Sequence, residues 1–201
     1  GNGSVFCSGA NIKAFANGSG PAKTERGGFA GVASRMRTKP LIAAVNGPAL
    51  AGGCEIVLAC DLVVAATAAT FGLSEVKRSM VAAAGGLYQL PRSLPLNIAM
   101  EMAITGDPIN AERALQLGLA NRVVEPDQLL GAAHQLADRI CSNSPLAVRE
   151  TRRVLLEGLE TDADRAKEIA EDSMSWIRTT DDFTEGTHAF LEKRAPRWQG
   201  K

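Results

Sequence analysis

The chain has 201 residues, enough for one sizeable core or one core with a small appendage. Hydrophobic residues make up 45% and charged residues 22%, with Lys plus Arg and Asp plus Glu balanced at 22 each. This is a globular composition with no net charge, which gives no electrostatic reason to expect nucleic acid or an anionic membrane as the main partner, while local basic clusters could still hold a small polyanionic ligand.

At the front, Gly1-Asn2-Gly3-Ser4 lacks the basic start and apolar run of a signal peptide. Gly18-Ser19-Gly20-Pro21 marks a surface loop. Residues 40–47 form a short apolar run bounded by Pro40 and Gly47, which suits a buried strand. Pro48 and Gly52-Gly53 break the chain before residues 54–60, which read as a helix with the glycines in its first turn. Residues 61–66 return as a second buried strand. Apolar runs without strict alternation imply strands covered on both faces, in an α/β layer arrangement.

After Gly106 the pattern turns helical. A short helix over 111–118 and a brief strand over 121–125 precede Pro126, which suits the first turn of a helix running to Cys141. Pro145 opens another helix, carrying Val148, Leu155 and Leu159. In the next, Ala166, Ile169, Ala170, Ser173 and Ile177 share one face. These stripes need a partner surface, so docking or oligomerisation is expected.

Cys7, Cys54, Cys60 and Cys141 include no CxxC pair and no histidine at ligand spacing. Free, mostly buried thiols are expected, with no zinc site or disulfide framework. Glu55 and Asp61 interrupt the longest apolar stretch, so no membrane span is expected. Together these features point to a soluble cytoplasmic protein.

Three segments carry a resemblance. Phe6-Cys7-Ser8-Gly9-Ala10-Asn11-Ile12-Lys13, residues 46–55 (Asn-Gly-Pro-Ala-Leu-Ala-Gly-Gly-Cys-Glu), and Phe71-Gly72-Leu73-Ser74-Glu75-Val76 with Ala84-Gly85-Gly86 resemble, in order and spacing, the three signatures of the crotonase (enoyl-CoA hydratase/isomerase) superfamily. The similarity continues through Thr105–Ala111 to Ala189–Arg194. It implies an α/β fold of the ClpP/crotonase type, with a spiral core of ββα turns over residues 1–139. A helical C-terminal region serving oligomerisation or as a lid would follow over 140–201, in a homotrimer or homohexamer.

The resemblance also implies a reaction, addition of water across the double bond of a 2-enoyl-CoA to give a 3-hydroxyacyl-CoA. Negative charge then builds on the thioester oxygen, and two backbone N–H donors aimed at it are worth about 3 kcal/mol each. By resemblance these are Ala10 and Gly52. Gly52 lies near the expected helix start, where free N–H groups favour negative charge. Alone, the glycine pair would make a tight turn, and Glu55 or Glu75 would be a surface carboxylate. By resemblance both glutamates stand at the reacting end of the acyl chain, with Glu75 chiefly transferring a proton at C2 and Glu55 binding and activating water. Close carboxylates titrate as a pair.

Asn11, Ile12 and Lys13, and Phe190 and Lys193 from a neighbouring subunit, are implied to hold coenzyme A. Coenzyme A is part of the substrate, and neither a metal nor a redox cofactor is implied. Cys54 has no histidine to activate it and reads as packing, while His134 and His188 read as structural or solvated. Relative to the family pattern, Asn11 replaces an aspartate and Ser74 a proline. Ser79 and Ala82 replace a glycine and a proline, and Leu87-Tyr88-Gln89 replaces Thr-Gln-Arg, implying an altered acyl preference. The chain begins just ahead of the first signature, where family members carry several dozen residues supplying the opening strands and a basic segment that helps bind coenzyme A. Two rival readings are a 2-enoyl/3-enoyl-CoA isomerase and a catalytically inactive assembly subunit.

Overall fold

The computed structural model describes residues 1–201, apart from the side chain of Phe15. A short helix, α1 (Ile12–Ala16), begins where the Asn11 side chain accepts the Lys13 N–H at 3.0 Å. A two-residue antiparallel ribbon follows, β1 (Lys23–Thr24) with β2 (Gly28–Phe29).

From there the chain repeats a strand, a second strand and a helix. β3 (Ile42–Val45) and β4 (Ala49–Leu50) lead into α2 (Gly52–Leu58). β5 (Leu62–Ala66) and β6 (Thr70–Gly72) lead through a 3₁₀ turn at Glu75–Arg78 into α3 (Gly86–Ser93) and α4 (Leu96–Thr105). β7 (Ile109–Asn110), α5 (Ala111–Gln116) and β8 (Arg122–Val124) complete the pattern. The first strands of the two full repeats join β8 in a parallel sheet of order β3-β5-β8, and the second strands form another of order β4-β6-β7, where β7 runs antiparallel. The ββα turns expected from the resemblance are therefore present.

The strands lie where apolar runs were expected. Val63, Val64, Ala65 and Ala66 are all buried in the central strand β5, which has neighbours on both edges. Phe71, Leu73, Leu90, Val45 and Val57 are among the largest fully buried side chains. The helix expected to reach Cys60 stops at Leu58, and Pro126 opens a separate 3₁₀ turn (Pro126–Gln128) ahead of α6 (Leu129–Cys141). Cys54 is buried, Cys7 and Cys60 are half-buried and Cys141 is exposed, all four as free thiols.

The chain forms two compact units, residues 1–37 with 41–134, and 38–40 with 135–201. The second holds the end of α6 and three further helices, α7 (Pro145–Gly158), α8 (Ala163–Ile177) and α9 (Asp181–Leu191). Each of the three begins at an oxygen-bearing side chain, Ser144, Asp162 or Thr180, that accepts an N–H three residues on. In α8, Ile169 and Ser173 are buried with Ala166 and Ile177 beside them. Ala170, expected on that stripe, is exposed, because it sits one position round the helix from Ile169. The α7 stripe is covered only at Val148, and Leu155 and Leu159 remain exposed. Among the described residues no helix is long and apolar enough to cross a membrane.

Asp182 ties the second unit together. It is 2% exposed and accepts from Ser144 Oγ at 3.0 Å, Gln199 N at 2.7 Å and Gly200 N at 3.1 Å. Asp182→Ala would leave the Gln199 and Gly200 N–H groups without their carboxylate acceptor and cost about 2 kcal/mol. Urea unfolding measures that loss, and the Gln199 and Gly200 amides should lose protection in hydrogen exchange.

Candidate active site

The site begins with the turn that starts α2. Ala51, its N-cap, has φ 50° and ψ −127°, a backbone conformation that residues with a Cβ seldom adopt. The turn is held by the Ala51 N–H donating to the Gly72 carbonyl at 2.8 Å, while the Ala51 carbonyl accepts from Cys54 and Glu55 at 2.8 and 3.1 Å. The next two residues have room only for hydrogen. A Cβ on Gly53 would stand 1.9 Å from the Cys7 carbonyl oxygen, and one on Gly52 would stand 2.5 Å from the Phe29 ring. Gly52 is thus the first residue of α2, where N–H groups have no acceptor within the helix.

Glu55 lies in the first turn of the same helix and is 4% exposed. A carboxylate at that depth needs donors. Its Oε1 accepts the Ala84 N–H at 2.7 Å and the Gly86 N–H at 3.0 Å. Gly86 opens α3, so this oxygen rests on the positive end of a helix. Among the described residues nothing donates to Oε2.

Glu75 opens the 3₁₀ turn and is half-buried. Its Oε2 is buried and has no hydrogen-bond partner among the described residues. Burial raises its carboxyl above the ordinary value of 4.5, and the charge of Glu55 adds to the rise; its own backbone N–H and the Arg78 guanidinium pull the other way. Cys54 is fully buried beside the pair. Burial first, then the charge of Glu75, push its thiol up to about 12, so it stays a protonated packing group as expected.

These groups share one cavity of about 810 Å³, large enough for a sizeable organic ligand. Ala10, Asn11, Ile12 and Lys13 line it from one segment, and Ala51, Gly52 and Glu55 from the α2 turn. Glu75 and Arg78 line it from the 3₁₀ turn, with Met80 and Val81 just beyond. Seven of the expected site residues therefore meet. Phe190 and Lys193 belong to the second unit, at the end of α9 and just beyond it, with Phe190 83% exposed and beside a separate groove of that unit. His134 and His188 are both exposed.

Sequence reasoning passed over Phe29, Lys23 and Arg78, which also line the cavity. Nothing in the aperiodic stretch around Phe29 signals that its ring covers Gly52. Ser79, noted as standing in place of a glycine, takes a left-handed backbone with φ 55° at the end of the 3₁₀ turn. That geometry is the physical reason a glycine suits the position.

A family model described as enoyl-CoA hydratase/isomerase matches residues 1–201. The chain is 40% identical over 199 residues to the crotonyl-CoA hydratase of Syntrophomonas wolfei, covering 98% of this chain and 76% of that protein. It is 38% identical over 202 residues to the carnitinyl-CoA dehydratase of Proteus mirabilis, covering 98% and 77%. Among solved structures, the enoyl-CoA hydratase of Mycobacterium tuberculosis H37Rv matches with a TM-score of 0.94 at 47% identity, over 100% of this chain and 79% of that one.

The geometry makes two outcomes measurable. Ser79→Gly should raise stability by about 0.5–1 kcal/mol in urea unfolding, since it relieves the left-handed backbone. For Glu75 the folded pKa lies above the unfolded one, so its contribution to stability is fully present below the ordinary value of 4.5 and is lost as pH rises through the raised folded value. Glu75→Gln should therefore melt higher than the parent at pH 7, and the gap should narrow as pH is lowered toward 4.5.

Proposed function

The chain belongs to the enoyl-CoA hydratase/isomerase family, with the crotonase-like fold of its relatives, and on that premise we propose that it hydrates 2-enoyl-CoA thioesters to 3-hydroxyacyl-CoA. One observation carries this reading. Two carboxylates of unequal environment face one cavity, each with an oxygen to which no described residue donates, beside a helix-opening turn of small residues.

In this reading the thioester oxygen is held by the N–H groups of Ala10 and Gly52, and both stabilise it more as it gains charge. Glu55, fixed through Oε1, keeps Oε2 for a water and takes a proton from it. The water oxygen bonds to C3, and the electrons of the double bond move toward C2 and the thioester oxygen. Glu75, whose raised affinity for a proton suits an acid, gives its proton to C2. Passing the proton gained by Glu55 to Glu75 restores both groups, and the net change is one water added.

Asn11, Ile12 and Lys13 continue directly from Ala10 along the cavity wall, which supports assigning them to the coenzyme A portion of the substrate. Phe190 and Lys193 are assigned to the adenine end, from a neighbouring subunit of a homotrimer or homohexamer. The exposure of Leu155, Leu159, Phe190 and Leu191 supports such an assembly. Four free thiols support a cytoplasmic location.

The test is incubation with a panel of 2-enoyl-CoA thioesters and identification of products by mass. A product heavier by one water is expected. Conversion of 3-enoyl substrates to a product of unchanged mass, without hydration of the panel, would instead identify an isomerase. Glu75→Gln and Glu55→Gln should each lower kcat about 10²–10⁴-fold. Full activity in the Glu75 variant would remove it from the proton-transfer role.

A further inference from the structure

The cavity carries, three residues on from Glu75, a cation that the proposed chemistry does not use. Arg78 ends the 3₁₀ turn that Glu75 begins. In a 3₁₀ helix the side chains at i and i+3 eclipse, so Arg78 and Glu75 share a face. Both line the same cavity. The neighbouring cation, Lys77, is neutralised by Asp107 at 2.5 Å, whereas Arg78 makes no ion pair among the described residues. Its charge is nevertheless felt at Glu75, where it opposes the effect of burial. The wall just beyond it is apolar, built from Met80, Val81 and Ala83.

The proposed placement of the substrate sets which part of it Arg78 would meet. Lys13 and its neighbours line the cavity from the Ala10 segment, and Arg78 from the Glu75 segment. A thioester held at Ala10 and Gly52 with C2 at Glu75 would send the far end of its acyl chain past Glu75. There a planar guanidinium offers two parallel N–H donors, a match for a carboxylate that an apolar wall cannot give.

Resting on the hydratase reading, we propose that Arg78 is a specificity-determining residue, and that the preferred substrate is a short 2-enoyl thioester whose acyl chain ends in a carboxylate.

The test compares two 2-enoyl-CoA substrates of equal chain length, one ending in a carboxylate and one in a methyl group. The parent should favour the carboxylate-ended substrate in kcat/KM by about ten-fold or more. In Arg78→Ala that ratio should fall at least about ten-fold, mainly through KM, with Arg78→Lys intermediate. A parent that favours the methyl-ended substrate, or an unmoved ratio in Arg78→Ala, would overturn the proposal. So would a ratio that collapses in Lys23→Ala instead. Calorimetry with the two corresponding saturated acyl-CoA ligands separates this idea from the reaction itself. An Arg78-dependent binding preference without hydration of either substrate sustains the selectivity and sinks the hydratase reading. Hydration of both without preference does the opposite.

Discussion

The pair of hydrogen bonds from Ala84 and Gly86 to Glu55 Oε1 is the constraint around which the first unit is arranged. A carboxylate in the first turn of an otherwise apolar helix would be costly to bury without donors. Here Gly86 at the start of α3 and Ala84 just ahead of it supply them, so the helix of the second repeat is fastened onto the helix of the first. The strained turn at Ala51 sets the direction in which Glu55 leaves the sheet, and Gly53 lets α2 start against the Cys7 backbone. Each of these features would be a defect in isolation; together they aim one carboxylate at one cavity.

The two glutamates differ because their surroundings do. One oxygen of Glu55 is held by two main-chain N–H groups at a helix start. No described residue donates to the buried Glu75 Oε2, and burial raises the Glu75 carboxyl, so its proton is held more tightly. A carboxylate fixed by main-chain donors and one whose carboxyl is raised by burial are suited to different parts of a proton transfer. This asymmetry is what lends the proposed division of labour its physical basis.

Much of this was legible in the residues. The apolar runs before Gly47 and after Asp61 are the strands β3 and β5, and the glycine pair opens α2 as its breakers indicate. Ala10, Gly52, Glu55 and Glu75 were found through motif resemblance, and they do share a cavity. What escaped was set by contacts distant in sequence. Which member of the Lys77-Arg78 pair is neutralised depends on Asp107, 30 residues beyond Lys77. The Phe29 ring over Gly52 joins segments without any periodic signal. The exposure of Ala170 turns on one step around a helix, a finer distinction than a stripe of small residues can make.

The donors that hold Glu55 belong to the main chain. No side-chain replacement at residues 84 or 86 deletes an N–H, proline excepted. Residues along the same wall, such as Met80, Val81 and Ala83, can therefore change in size and polarity while the grip on the carboxylate persists. On the proposed assignment, such a scaffold separates the carboxylate that activates water from the wall that meets the acyl chain. Selection can redraw the acyl pocket in single steps, each starting from an enzyme whose reacting centre is still intact.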